Sequence, residues 1–458
     1  MGQGGDPPFF PPPHAPHPFD PSSPAIRHPP SAICHHYPVR TPLNRQQILG
    51  FWAAWAGWTL DGMDSVIYAL VMAPALTELL PASGYEATPA RIGFIGSIMF
   101  ALFLVGWGCS FIWGPIADKY GRSRALAATI LVYALFTGAA AFATDIWQLG
   151  IFRLLAGIGV GGEWAMAGTY VAEAWPEDRR KMGAGYLQTG YYFGFFMAAA
   201  LNYTVGAQFG WRAMFLCGLA PMVVAFLTMA KVQEPPRWKA HEAEAKRAHP
   251  LAEIFGDQYR RRTIVNALLL TVAIIGLWAG VVYEPAAITQ LAKRAGMDAP
   301  AAARMVSVGT AVLSIGTILG CIALPAIAER IGRKRTLALY FTGMMVSIPT
   351  AFGWAFYLEQ GLVPFITVLF FLGFAGGNFA VFSLWLPEQY DTRVRATAFA
   401  FSTSVGRFIG AGVNFVLGSA VLRSGTLGTP VAWTGAAFMV GLLIIPFAIE
   451  TKGQQLPS

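Results

Sequence analysis

A few ionisable side chains stand inside otherwise apolar stretches of this chain: Asp61, Asp64, Arg153, Glu163, Glu284 and Arg407. A charge at the centre of a bilayer costs about 2.5–3.5 kcal/mol on insertion scales, so such groups persist when they are paired or face an aqueous route. Asp61 and Asp64 are spaced i, i+3 and share one helix face. Two carboxylates that close repel when both are charged, and such a pair can load and release a proton. The alternative is that one of them pairs with a group of helix 4 or helix 11. Arg407 lies twelve residues after Arg395, which at about 1.5 Å per residue puts it near the midplane. A permanently charged fork at that depth can grip a carboxylate through two hydrogen bonds, or can form a salt bridge to Asp61 or Asp64 without touching a solute. Gln188, Tyr191, Tyr192, Trp278 and Asn378 are the neighbours expected to touch the solute. Glu284, near the outer end of helix 7, is a candidate outer gate.

The elements that hold these residues must be membrane spans. The 458 residues are 55% hydrophobic and 12% charged, about half the roughly 25% charge of a soluble domain. Apolar runs of about 20 residues fall near 49–72, 91–113, 125–143, 146–173, 183–205, 211–230, 263–288, 304–327, 337–357, 362–386, 396–420 and 429–449. With the N-terminus inside, 24 of the 32 Lys and Arg fall in cytoplasmic segments, 6 fall outside, and Arg153 and Arg407 lie in the membrane. That bias predicts a multi-pass cell-membrane protein with both termini cytoplasmic. It also accounts for the net charge of +8 without a nucleic-acid partner. Residues 1–48 read as a disordered Pro/His-rich tail. Residues 49–230 and 263–449 read as two six-helix bundles, 231–262 as a cytoplasmic linker and 450–458 as a second tail. Cys34, Cys109, Cys217 and Cys321 are scattered, so neither a disulfide framework nor a metal centre is expected. No phosphate-binding Gly-Lys-Ser/Thr loop or catalytic triad occurs, which excludes an ATP-driven pump and leaves no enzyme reading.

The two halves repeat. Gly114-Pro-Ile-Ala-Asp118-Lys119-Tyr-Gly121-Arg122 matches Pro325-Ala-Ile-Ala-Glu329-Arg330-Ile-Gly332-Arg333 at an offset of 211. Gly161-Gly162-Glu163 followed by Glu173 matches Gly376-Gly377-Asn378 followed by Glu388 at an offset of 215. Repeated bundles can rock about a central site. Where the repeats differ, chemistry is expected: Glu163 stands opposite Asn378, and Arg407 opposite Tyr192. Glu163 is read either as part of proton coupling or as an inner-gate partner of Arg179 or Arg180.

At these loops the chain resembles the major facilitator superfamily, and within it the sugar and metabolite–proton symporters. Asp118-Lys119-x-Gly121-Arg122 is similar to the superfamily's loop 2–3 motif. Glu234-Pro235-Pro236-Arg237-Trp238 and Glu450-Thr451-Lys452-Gly453 are similar to motifs that follow helices 6 and 12 of the symporters. Asp61-Gly62-Met63-Asp64 resembles the Asp-Gly-x-Asp of organic-acid symporters, and the stretch from Gly162 to Pro176 resembles sialic acid–proton symporters. In helix 7, Trp278 to Pro285 carries neither the Gln pair of sugar porters nor the His/Gln signature of lactate permeases. The resemblance implies an all-α membrane fold of twelve helices in two pseudo-symmetric bundles. It also implies symport of a small organic anion by a monomer in a lipid bilayer, with protons as the coupling ion and no other cofactor. By likeness to xylose–proton symporters, Asp64 carries the proton and Arg153 is its partner. Asp118, Arg122, Glu329 and Arg333 become gating residues, and Glu173 with Arg180 and Glu388 with Arg395 are expected to close the inside beneath each half. The runner-up readings are a proton-coupled efflux antiporter and a sugar or neutral-metabolite symporter. The proline-free helix 5 segment Leu187 to Gly194 counts against the antiporter.

Overall fold

The computed structural model describes residues 41–424 and 426–457, and among these there are helices and no strand. Twelve long helices follow one another: α1 Arg45–Ala82, α2 Phe94–Tyr120, α3 Arg122–Ala140, α4 Ile146–Ala174, α5 Arg180–Leu201, α6 Gln208–Lys231, α7 Arg260–Arg294, α8 Ala299–Ile331, α9 Arg333–Tyr357, α10 Leu362–Gln389, α11 Arg395–Ser424 and α12 Gly428–Phe447. Nine stretches among the described residues are long and apolar enough to cross a membrane, and α1 makes a tenth if its two segments, bent by 61° at Pro74, count as one span. The remaining two, α5 and α7, run among them. Residues 1–40 of the expected tail lie outside the described residues. Between α6 and α7 the chain forms three short helices, Pro236–Ala240, Glu242–Arg247 and Pro250–Glu253.

Local chemistry sets where helices begin. α1 starts at Arg45, ahead of the span expected from 49, because Asn44 and Gln47 form a reciprocal capping box. The Asp145 carboxylate accepts from the Trp147 and Gln148 amides and opens α4. The turns before α3 and α9 are sharper. Gly121 and Gly332 hold φ of 116° and 90°, a region that disfavours residues with a Cβ. Each faces an acid from the far end of its own half. Glu234 accepts from the Ser123 and Arg124 amides, and Glu450 from the Arg333 and Lys334 amides. A Cβ on Gly121 would lie 2.4 Å from Glu234 Oε1.

Helix pairing follows the sequence repeat. α1 packs on α5 as α7 packs on α11, and α2 packs on α4 as α8 packs on α10. The halves meet through α2 against α11 and α5 against α8, two contacts that interchange when the halves are exchanged. Large apolar residues such as Phe142, Phe209, Phe415 and Leu443 are exposed around the outside. In water such a surface would drive association; against lipid chains it is the expected exterior.

Candidate functional site

Polar side chains form two layers, one that joins the halves and one around α1 and α4. The first is at the end carrying the α2–α3 and α8–α9 turns. Arg122 donates from Nε and Nη2 to both oxygens of Glu173, at 3.1 Å each, and pairs with Asp118 at 2.9 Å. Arg333 repeats the fork on Glu388 at 2.9 Å and pairs with Glu329 at 2.8 Å. Each glutamate then takes a second arginine from the opposite half. Arg395 reaches Glu173 at 2.6 Å, and Arg180 reaches Glu388 at 3.1 Å. Asp118 crosses too, accepting from the Ala396 and Thr397 amides and the Thr397 hydroxyl. Its repeat-mate Glu329 meets Lys181 at 2.8 Å on a more exposed surface.

This corrects the sequence expectation of Glu173 with Arg180 and Glu388 with Arg395. The arginines are exchanged because α5 packs on α8 and α11 on α2, so the first residue of each helix faces the other half. Arg180 also holds Glu177 at 2.8 Å, which leaves Glu163 without an inner-gate arginine. Short contacts continue above the latch: Trp164 Nε1 donates to Ser383 Oγ at 2.8 Å, and the hydroxyls of Ser110 and Ser404 lie 3.0 Å apart.

The segment after α12 joins the same latch. The Thr451 hydroxyl donates to Glu388, the Leu456 amide donates to Glu177 at 3.2 Å, Arg237 donates to the Leu456 carbonyl at 3.0 Å, and Arg395 donates to the Pro457 carbonyl. Leu456 is buried there. Composition alone carried no signal for this strap, since its contacts are mostly to backbone.

The second layer lies around α1 and α4 and takes Arg407 from α11. Asp61, Asp64, Arg153, Glu163 and Arg407 are all buried, yet the four carboxylate oxygens of Asp61 and Asp64 and all three nitrogens of Arg153 have no hydrogen-bond partner. Buried polar groups are almost always satisfied, so this cluster marks a place built for something other than packing. The charges acting on Asp61 are those of Glu163, Asp64 and Arg407, and the cation acting on Asp64 is Arg153. Glu163 accepts from the Thr129 hydroxyl at 3.1 Å, with its other oxygen unpartnered against Gly57. Neither Arg153 nor Arg407 has a carboxylate within 4.0 Å among the described residues. Aromatic faces hold them instead. Arg407 lies 3.6 Å from the Trp107 ring centroid, and Arg153 lies 4.1 Å from Tyr68 and 4.3 Å from Phe103. Desolvated contacts of this kind are worth about 2 kcal/mol or more.

Of the other expected neighbours, Tyr191 stacks on Trp58 at 4.7 Å, and Gln188 and Asn378 each bury an unpartnered side-chain oxygen. Tyr192 turns away into an apolar cleft with Gly276, Leu313 and Met344. The Trp278 side chain lies outside the described residues. Glu284 is buried and accepts from Thr310 at 3.2 Å. Trp107, Phe103 and Trp58 went unnoticed in the sequence. Their signal was the i, i+4 spacing of Phe103 and Trp107 opposite Arg153, Gly157 and Gly161, which share that spacing on α4.

Comparison with known proteins gives the same architecture. The sequence profile of the Major Facilitator Superfamily matches residues 48–414. A probable 4-methylmuconolactone transporter of Cupriavidus pinatubonensis is 30% identical over 427 residues, covering 89% of this chain and 92% of the relative. The niacin transporter NiaP of Acinetobacter baylyi is 26% identical over 454 residues, covering 91% and 97%. The proton:xylose symporter XylE, solved with 6-bromo-6-deoxy-D-glucose, superposes with a TM-score of 0.72 at 17% identity over 90% of this chain and 98% of that one. At that identity the likeness speaks for the fold. Two helix bundles that repeat one pairing scheme, a latch between them at one end and a cluster of buried charges beyond it thus coincide with a profile match across most of the chain: the protein is a multi-pass membrane transporter, not an enzyme, and belongs to the Major Facilitator Superfamily.

Proposed function

We propose that this transporter is a proton-coupled symporter that imports a small organic anion, a carboxylate carried beside aromatic side chains, by alternating access. The observation that carries the reading is Arg407, buried over the Trp107 ring with no carboxylate within 4.0 Å among the described residues and Asp61 acting on it only from farther away. A carboxylate ligand supplies the missing negative charge and suits the planar fork. Tyr191, Trp58 and Trp164 form a stacked row, with Trp58 4.7 Å from Tyr191 and 6.0 Å from Trp164, of a kind suited to a flat or ring-bearing solute. Relatives named for a muconolactone and for niacin, the latter an aromatic carboxylate, support that class.

In this reading Asp61, Asp64 and Glu163 provide the proton route, and a proton on Asp64 frees Arg153. The bundles 49–230 and 263–449 rock about the axis while the Glu173 and Glu388 clusters close the charged end. That end faces the cytoplasm of a cell membrane, both termini lie on that side, and a single chain is the working unit. Purified protein should be stabilised thermally by benzoate, nicotinate or sialate, with uptake of the hits driven by an imposed pH gradient. Arg407→Gln should raise the KM for the anion by roughly tenfold or more. Stabilisation by neutral hexoses alone, or an unchanged KM in Arg407→Gln, would overturn the anion reading.

A further inference from the structure

We infer that Trp107 is a positioning residue for the anion site: its ring face holds Arg407 charged and leaves the edge of the guanidinium open to a carboxylate. This rests on the proposal that Arg407 receives the anion. A buried arginine needs compensation for lost water. An aspartate or glutamate partner would provide it, but would occupy the same N–H edge that a carboxylate solute must use. A ring face compensates from above the guanidinium plane and does not compete for that edge. The observed contacts fit this form: Arg407 Cζ lies over the Trp107 ring, 3.6 Å from its centroid, Nη1 donates to the Thr403 carbonyl at 3.1 Å, and Nε has no hydrogen-bond partner among the described residues.

The neighbouring helix sets the ring's place. Arg153, Gly157 and Gly161 lie on one face of α4, and α2 lies against them. A Cβ on Gly157 would fall 2.3 Å from the Phe103 carbonyl, and one on Gly161 would fall 2.1 Å from Trp107 Cδ1. The glycines therefore admit α2 and its rings to positions that larger residues would deny. The construction occurs twice. One turn earlier on α2, Phe103 serves Arg153 as Trp107 serves Arg407, and the two rings lie 5.8 Å apart. Tyr68, Arg153, Phe103, Trp107 and Arg407 thus form one contiguous chain of contacts, in which each cation lies over a ring and the two rings of α2 meet edge to face at 66°. Its last contact crosses between the halves, since Trp107 belongs to α2 and Arg407 to α11. Orientation of the anion-binding fork is in this way tied to the separation of the bundles.

The test measures binding of benzoate, nicotinate and succinate to purified full-length wild type, Trp107→Met, Trp107→Phe, Arg407→Gln and the Trp107→Met/Arg407→Gln double variant. Methionine fills space without a ring, whereas phenylalanine keeps the face. Trp107→Met should weaken the best of the three ligands on the order of tenfold, and Trp107→Phe should stay within about threefold of wild type. The double variant should be no weaker than Arg407→Gln alone, because the ring acts through the arginine. Equal losses in the Met and Phe variants, or additive losses in the double variant, would mean that Trp107 merely fills space and would overturn this inference while leaving the anion site standing. Unchanged affinity in Arg407→Gln, or no binding of any of the three, would instead overturn the carboxylate site and this inference with it.

Discussion

Asp64 and Arg153 are buried on adjacent helices, yet no hydrogen bond or ion pair within 4.0 Å joins them, and the Thr137 hydroxyl is the other polar group beside the carboxylate. An ion pair that served stability would be expected to close and to collect further hydrogen bonds. A carboxylate left open beside a ring-held arginine is better suited to exchanging a proton than to bracing the fold. Asp64→Asn should therefore abolish uphill accumulation driven by a pH gradient while leaving solute exchange intact. Both are measured in vesicles, and accumulation at the wild-type level would rule out this role. Neither the unpartnered state of Asp64 nor the ring under Arg153 could be read from residue order. Burial and i, i+3 spacing were legible, but the third dimension was not.

The element that separates the two ends is the latch of α5, α11 and the α2–α3 and α8–α9 turns. Glu173 and Glu388 each hold two arginines in a buried setting, and removing one partner of such a cluster typically costs 3–5 kcal/mol, roughly. Glu173→Gln should therefore expose the charged end. In a variant whose native cysteines are replaced by serine, Ser404→Cys should react faster with a membrane-impermeant thiol reagent applied from that end when Glu173→Gln is added. Equal rates would mean that the latch does not hold the end shut.

The strap at 451–457 offers a pH test of the same element. Burial pushes the Glu177 carboxyl up, but the hydrogen bond and charge of Arg180, the Leu456 amide and the charge of Arg237 outweigh it and hold the carboxyl below its ordinary range. A carboxylate lowered on folding contributes stability above its ordinary value, here 4.5, and loses it as pH falls through the lowered value. The melting temperature of Glu177→Gln should lie below wild type at neutral pH, and the gap should close as pH falls below 4.5 and through the lowered value. A gap independent of pH would mean that the charge of Glu177 does not hold the strap.

For the whole molecule, the proposal that both termini face the cytoplasm follows from an even number of crossings and from the skew of basic residues. Reporter fusions placed after residue 457 and ahead of residue 41 should report the same, cytoplasmic side of the membrane. Opposite sides would require an odd number of crossings and would break the pairing of α1–α6 with α7–α12.

Composition and period are local properties, and what depends on them was readable in advance. The scarcity of charge requires lipid as solvent, apolar runs of span length mark the helices, and the 211-residue repeat of Asp118 to Arg122 in Glu329 to Arg333 announces two like halves. Partner choice is not local. Glu173 takes Arg395 and Glu388 takes Arg180, across more than 200 residues of chain, because α5 packs on α8 and α11 on α2. The same packing lays Arg407 on Trp107 instead of on Asp61. Sequence order determined which charges enter the membrane. Only the crossing of the two bundles decided which of them meet an acid and which meet a ring.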